Sequence, residues 1–162
     1  MAYTFDDNKS GLLQIANTDA GVTMANGTSA IPTPPAVLGQ VERAFDPTYG
    51  AGEFILLVGV ANTAVGSLVT YDGTTYQTTL AATTANQARP VAVAMSANGA
   101  GSFGWYQIEG TAVVAKTTGA KVNPTVAIGV VSTGKIGASA SGKEILGARS
   151  ANAATVASAT TT

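Results

Sequence analysis

From residue 41 to about residue 151 the chain alternates apolar stretches of four to eight residues with breaks rich in Gly, Asn and Asp. Stretches that short predict strands rather than helices. Phe54-Ile-Leu-Leu-Val-Gly-Val60 is apolar without interruption, which predicts a strand covered on both faces. Gly66 to Tyr71 and Thr74 to Thr79 flank Asp72-Gly73, which offers the two φ > 0 positions of a type I′ turn and predicts a hairpin. Pro90 to Met95 and Gly101 to Ile108, separated by Ser96-Ala-Asn-Gly-Ala100, predict a second. Strand alternation then puts Phe103 and Trp105 on one face and Tyr106 and Ile108 on the other. Thr111 to Ala115, Thr125 to Val131, Ile136 to Ala140 and Glu144 to Ser150 complete the predicted strands. Leu80 to Ala88 has room for a helical turn or two but reads as loop, because Pro90 restricts the backbone before it. With no amphipathic helix to cross between parallel strands, the pattern predicts an all-β fold, a small antiparallel β-barrel or a sandwich of hairpins.

The ends read differently. Ile31-Pro-Thr-Pro-Pro35 removes backbone donors and favours an extended path, so residues 1–40 are expected to form an extended N-terminal arm with a Pro-rich spacer. Its apolar residues, Tyr3, Phe5, Leu12, Leu13 and Ile15, are the candidate contacts of a separable attachment element, with Gly11 to Ile15 a short strand against the body. Residues 41–150 form the body. Residues 151–162 offer almost no side-chain volume to bury and read as a tail or an edge strand.

Composition narrows the chemistry. The chain of 162 residues has no Cys and no His, which removes disulfides, thiolate nucleophiles, the commonest metal ligand and the commonest general base. Eight basic against nine acidic residues, with only 10% charged, give a net charge of −1 and no electrostatic footprint for nucleic acid. Ala, Gly and Thr make up more than two-fifths of the residues, as in turn-rich structural proteins. The N-terminus shows acids where a signal peptide carries basic residues, and the longest apolar run, Phe54 to Ala61, is too short to span a bilayer as a helix. A soluble chain made in a cytoplasm, without membrane contact, is expected.

Several motif matches lack their context. Gly99-Ala-Gly-Ser-Phe-Gly104 fits a dinucleotide fingerprint, but an aromatic strand follows where a helix N-terminus is needed. Gly129 to Lys135 fits the opening of a phosphate-binding loop, yet Ile136 stands where a hydroxyl must hold magnesium. Ser132-Thr-Gly-Lys135 fits a serine–lysine nucleophile pattern without its partner motifs. The carboxylates are scattered through turns and strand ends. No catalytic, metal or cofactor site is expected, and the candidate packing or subunit-interface aromatics are Phe103, Trp105 and Tyr106.

Val58-Gly-Val-Ala-Asn62, Gly66 to Gly73, Arg89-Pro-Val-Ala-Val-Ala94, Ser102-Phe-Gly-Trp-Tyr-Gln-Ile-Glu-Gly-Thr-Ala-Val113 and Ile145-Leu-Gly-Ala-Arg149 follow one another as small hairpins around an aromatic strand. Over about residues 37 to 162 this order resembles the head-decoration, or capsid cement, proteins of tailed bacteriophages. The resemblance implies a small β-barrel assembling as a homotrimer on the capsid exterior of the virion. It also implies the major capsid protein as partner, a terminal arm bridging capsid subunits, assembly in the host cytoplasm, and no catalytic residue. A different reading of the same residues is a carbohydrate-binding or adhesin-type β-module, such as a head or tail fibre component, stacking sugars on Trp105 and Tyr106.

Overall fold

The computed structural model describes residues 3–6, 12–23, 32–156 and 161. Among them all regular structure is strand, and every strand ladder is antiparallel. The strands in chain order are β1 (Thr4–Phe5), β2 (Thr18–Asp19), β3 (Val22–Thr23), β4 (Pro32–Thr33), β5 (Val41–Asp46), β6 (Gly50–Val58) and β7 (Leu68–Tyr71). They continue with β8 (Thr78–Leu80), β9 (Val91–Ala94), β10 (Phe103–Gly110), β11 (Ala127–Ser132), β12 (Lys135–Ala138) and β13 (Glu144–Arg149).

The main sheet runs β1-β5-β6-β10-β9-β7-β8, with β2 also on β10. A second sheet of three strands, β12-β11-β13, packs across it, and β3 pairs with β4 apart from both. Because β6 and β10 are apolar at successive positions, both of their faces carry core. Phe54, Leu56 and Trp105 point to one side, with Ala44 and Met95. Ile55, Leu57 and Tyr106 point to the other, with Val69, Ala92 and Ala94. A third cluster, Leu68, Val93, Val114, Val122, Ile128, Val130 and Ile136, joins the β7–β9 part of the main sheet to the small sheet. The main sheet curls around its inner cluster until one parallel bridge, Val58 to Gln77, links the end of β6 to the start of β8. That single bridge does not make a barrel. The layers form a sandwich-like arrangement, which corrects the barrel alternative in favour of the sandwich.

Two local expectations are corrected. The β7–β8 hairpin forms, with Tyr71 opposite Thr78, but its turn is not a two-residue type I′ turn at Asp72-Gly73. The loop is longer, and the residue with positive φ is Tyr76, not Gly73. The Asp72 carboxylate accepts hydrogen bonds from the Thr74 and Thr75 N–H groups at 2.9 and 2.8 Å, and the Tyr76 N–H reaches the Asp72 carbonyl. An aspartate that caps the loop from its first position removes the need for a tight Asp-Gly pair. The expected strand Thr111 to Ala115 is an extended crossover whose end makes only isolated bridges, Ala115 to Thr161 and Lys116 to Ile136. The tail behaves as a source of single bridges, the other joining Val156 to Val122. The 81–90 segment is loop, as the sequence reads.

Gly59 shows how closely the layers approach. A Cβ there would collide with the carbonyl oxygens of Asn98 and Gly99, whereas a Cβ on Gly99 meets open space. Backbone cannot yield as a side-chain tip can, so Gly59→Ala is expected to lower stability by about 1–3 kcal/mol or more. Gly99→Ala is expected to be nearly neutral. Urea denaturation of the two variants measures the difference. The far-ultraviolet circular dichroism of the parent should be sheet-dominated, with helix well under the third usual in mixed domains.

Candidate interaction surfaces

The N-terminal segment lies along the outer face of β6 and β10. β1 pairs with β5, Thr4 opposite Phe45 and Phe5 opposite Ala44, while β2 takes the edge of β10 at Phe103 and Gly104. Between these short pairings, side chains pin the segment down. The Trp105 indole N–H donates to the Leu13 carbonyl at 2.7 Å, and the Tyr3 hydroxyl donates to the Thr111 carbonyl at 2.8 Å. Tyr3 meets Phe54 and Phe5 meets Trp105 edge-on, with ring centroids 4.9 and 5.2 Å apart.

The five candidate capsid contacts are therefore turned inward. Tyr3 and Ile15 are buried, and Phe5, Leu12 and Leu13 are half-buried against Ala44, Phe54, Leu56, Met95 and Trp105. The described part of the expected arm completes the core, because the outer face of β6 and β10 is apolar and would otherwise face water. The 24–31 stretch ahead of the proline spacer lies outside the described residues, as do residues 7–11; of the strand expected over Gly11 to Ile15, residues 12–15 are described and form no strand, the Leu13 carbonyl being taken by the Trp105 indole instead.

Phe103, Trp105 and Tyr106 are all buried within one chain, Trp105 and Tyr106 on the opposite faces that alternation predicts. Trp105 and Tyr106 are at 0% exposure, so neither ring is available to stack on a sugar or a base. Tyr106 instead belongs to a buried polar cluster. The Asn98 side-chain amide donates to its hydroxyl at 3.0 Å, and the Thr63 and Thr78 hydroxyls lie beside it while donating to the Val60 and Val58 carbonyls at 2.7 Å. Gly104 makes room for this cluster, since a Cβ there would sit 3.0 Å from the Ser96 hydroxyl and 3.1 Å from the Asn98 amide carbon. Two glycines of the dinucleotide-like motif thus have structural work, Gly101 at φ +74 in the hairpin loop and Gly104 against Asn98. In the phosphate-loop-like stretch, Gly134 at φ +68 turns β11 into β12 and Gly129 passes close to the Lys143 carbonyl.

Three of the acids that the sequence scatters are turn caps. Asp46 accepts from the Thr48 and Tyr49 N–H groups, Asp72 from Thr74 and Thr75, and Asp19 from Gly21. Among the described residues no three of His, Cys, Asp and Glu gather as a metal site. Lys116, read from sequence as part of a turn, is buried, and its ammonium donates to the Thr117 and Ala120 carbonyls at 2.9 and 2.7 Å. No pattern of neighbouring residues signals that burial.

What remains outside is apolar in places. Leu146 stands 92% exposed on β13, where four residues, 145–148, bulge between the pairs Glu144–Gly129 and Arg149–Ala127. Beside it a groove of about 600 Å³ runs between the 81–91 segment and residues 142–146, with Arg89, Lys143 and Glu144 among its walls. Val65 is exposed on the turn before β7. On β5 the usual order is inverted: Val41 and Phe45 are exposed while Ala44 and Asp46 are buried. Sequence reasoning passed over β5, because its pattern puts the small residue in and the large ones out.

Two outcomes follow from the buried contacts. Burying Tyr3 and Ile15 is worth about 3–6 kcal/mol at about 1.5–3 kcal/mol per large side chain. Removing residues 1–20 is therefore expected to lower the urea midpoint strongly and to shift the emission of Trp105, the chain's one tryptophan, to the red. A truncated chain with unchanged stability and emission contradicts this placement. Burial raises the Tyr106 hydroxyl above the ordinary tyrosine range, against the opposing hydrogen bonds of Thr78, Asn98 and Thr63, and burial likewise raises Tyr3 and Tyr71. The folded state then holds these protons more tightly than the unfolded chain does. Stability is expected to be level below about pH 10 and to fall as pH rises through the unfolded tyrosine value toward the folded ones. Tyr106→Phe should flatten that alkaline decline, as urea midpoints measured across it would show.

Comparison of the chain with protein-family models, with curated proteins and with solved structures finds no match, so these surfaces carry the functional reading by themselves.

Proposed function

We propose that the chain is a structural virion protein that decorates and stabilises the outside of a phage capsid, binding capsid subunits as an oligomer. The observation that carries this reading is the placement of apolar side chains. The aromatic strand and the N-terminal segment are used up in packing, while Val41, Phe45, Val65 and Leu146 project from strands and a turn on the outside. Exposed apolar groups on a rigid all-β scaffold suit a protein whose work is contact with other protein surfaces. Many copies, each adding a modest apolar contact across a seam between capsid subunits, resist internal pressure through multivalency. The order of hairpins in the sequence, which resembles that of head-decoration proteins, is in keeping with the same reading. Because the described N-terminal residues are committed to the body, attachment in this reading runs through the body's outer strands rather than through Tyr3, Phe5 and their neighbours. The sugar-binding alternative loses its platform with the burial of Trp105 and Tyr106 and has no other observation in its favour.

The test is addition of the purified chain to undecorated shells assembled from the major capsid protein encoded beside it. Saturable co-sedimentation with the shells, and a higher temperature of shell disruption, are the expected results. A chain that stays in the supernatant and is retained on a glycan column instead would overturn the proposal.

A further inference from the structure

The exposed face of β5 is the continuation of a face that is core elsewhere. In register, Val41 lies opposite Ile55, Arg43 opposite Glu53, and Phe45 opposite Ala51, so these six residues share one side of the β5–β6 ladder. Ile55 on that side is buried in the inner cluster, under the curled half of the sheet. Moving away from it along the ladder, cover ends. Phe45 is 50% and Val41 47% exposed, Ala51 is exposed, and the Arg43 and Glu53 side chains are 67% and 36% exposed, 4.0 Å apart. Two constraints normally keep large apolar residues off the outer face of a two-faced strand, solubility and folding specificity, and β5 violates both while burying Ala44 on the other side. Local rules broken without a compensating gain inside the fold point to a surface used outside it.

The pattern on this face also says what fits it. One cation and one anion stand in its middle and cancel, so it offers no attraction to nucleic acid or to any surface of a single charge. It is complementary to itself. We propose that the β5–β6 face is a two-fold self-association surface, on which β5 of one copy lies over β6 of a second copy. An axis running along the strands, midway between β5 and β6, exchanges the two strands while keeping each position along them. Register partners then meet across the interface. Arg43 lies over the second copy's Glu53, and Glu53 over the second copy's Arg43. Phe45 lies over the second copy's Ala51, a large side chain into the space left by a small one, while Val41 borders the contact at the end where the curled sheet already shields Ile55. Face-to-face packing of sheets needs this large-against-small interlocking at a separation of about 10 Å. The other simple face-to-face axis, across the strands, would stack Arg43 on Arg43 and Glu53 on Glu53. The contact pairs copies two by two and is separate from a three-fold assembly, which needs two unlike surfaces. It takes Val41 and Phe45 from the exposed apolar set and leaves Val65 and Leu146 for shell contact, and because its test is read on the isolated chain, its failure is distinguishable from a failure of shell binding.

Charge reversal in two chains tests the arrangement. Arg43→Glu places a glutamate over the second copy's Glu53 twice per pair, and Glu53→Arg places arginine over arginine twice. Each variant alone is expected to self-associate at least about ten-fold more weakly than the parent, by sedimentation equilibrium. An equimolar mixture of the two is expected to associate again, because opposite charges then meet at both contacts. Phe45→Ser, which leaves the charges in place, should weaken association in parent and mixture alike. All three substituted side chains are at least partly exposed, and unchanged circular dichroism and urea midpoints confirm that each variant is folded. A parent that stays monomeric up to about 1 mM overturns the proposal, as does association that survives the single reversals. So does a mixture that stays as weakly associated as its components.

Discussion

Strands β6 and β10 bury side chains on both of their faces, and the topology follows from the need to cover each face with a different part of the chain. Phe54, Leu56 and Trp105 on one side require a lid, and so do Ile55, Leu57 and Tyr106 on the other. A chain with no helix among its described residues, built largely of Ala, Gly and Thr, has few bulky elements with which to make two lids. It solves the problem by curling its own sheet over the inner face and drawing its N-terminal segment over the outer one. The small β12-β11-β13 sheet then covers the remaining side of β7 and β9. Small residues are what let these layers come close, as the approach of Gly59 to the 98–99 backbone shows.

Covering an aromatic strand so completely has a polar cost that the structure meets in part with particular residues, while the Ser96 Oγ, Asn98 Oδ1 and Gln107 Oε1 atoms stay buried without a hydrogen-bond partner. The Trp105 indole N–H has a carbonyl to donate to, and the Tyr106 hydroxyl has an amide and two threonines around it. Buried donors and acceptors left without partners cost about 1–3 kcal/mol each, so these bonds hold the lids in one register rather than merely adding to their stability. The N-terminal segment is fixed less by its two-residue ladders than by Tyr3 and Trp105, which reach across to carbonyls of another part of the chain.

Strand positions with strong local signals were legible in the sequence. The uninterrupted run at Phe54 to Val60, the alternation in Phe103 to Ile108 and the hairpin around Asp72 all belong to this kind, because period and turn chemistry are local properties. What escaped depends on distant partners. Nothing near Tyr3 or Ile15 says that β6 and β10 need them, so inward-facing residues looked like free anchors. Asp72-Gly73 looked like a tight turn because the capping of Thr74 and Thr75 by Asp72 competes with it on equal local terms. β5 escaped because its large residues face outward, the reverse of the pattern that core-facing strands follow. The candidate surface was illegible for the same reason that makes it a candidate.

The hydrogen bonds that secure the N-terminal segment join residues 108 and 92 positions apart. Tyr3 and Leu13 are made early, yet their partners Thr111 and Trp105 emerge only after most of the body. At about 5–20 residues per second, translation leaves the segment waiting on the order of 5–20 seconds for the strand it must cover. During that interval the ribosome holds a chain whose leading apolar residues have nowhere to go and whose two central strands cannot yet meet. In each of these pairs the residue made earlier cannot be bonded until its partner, about a hundred residues later, has been made.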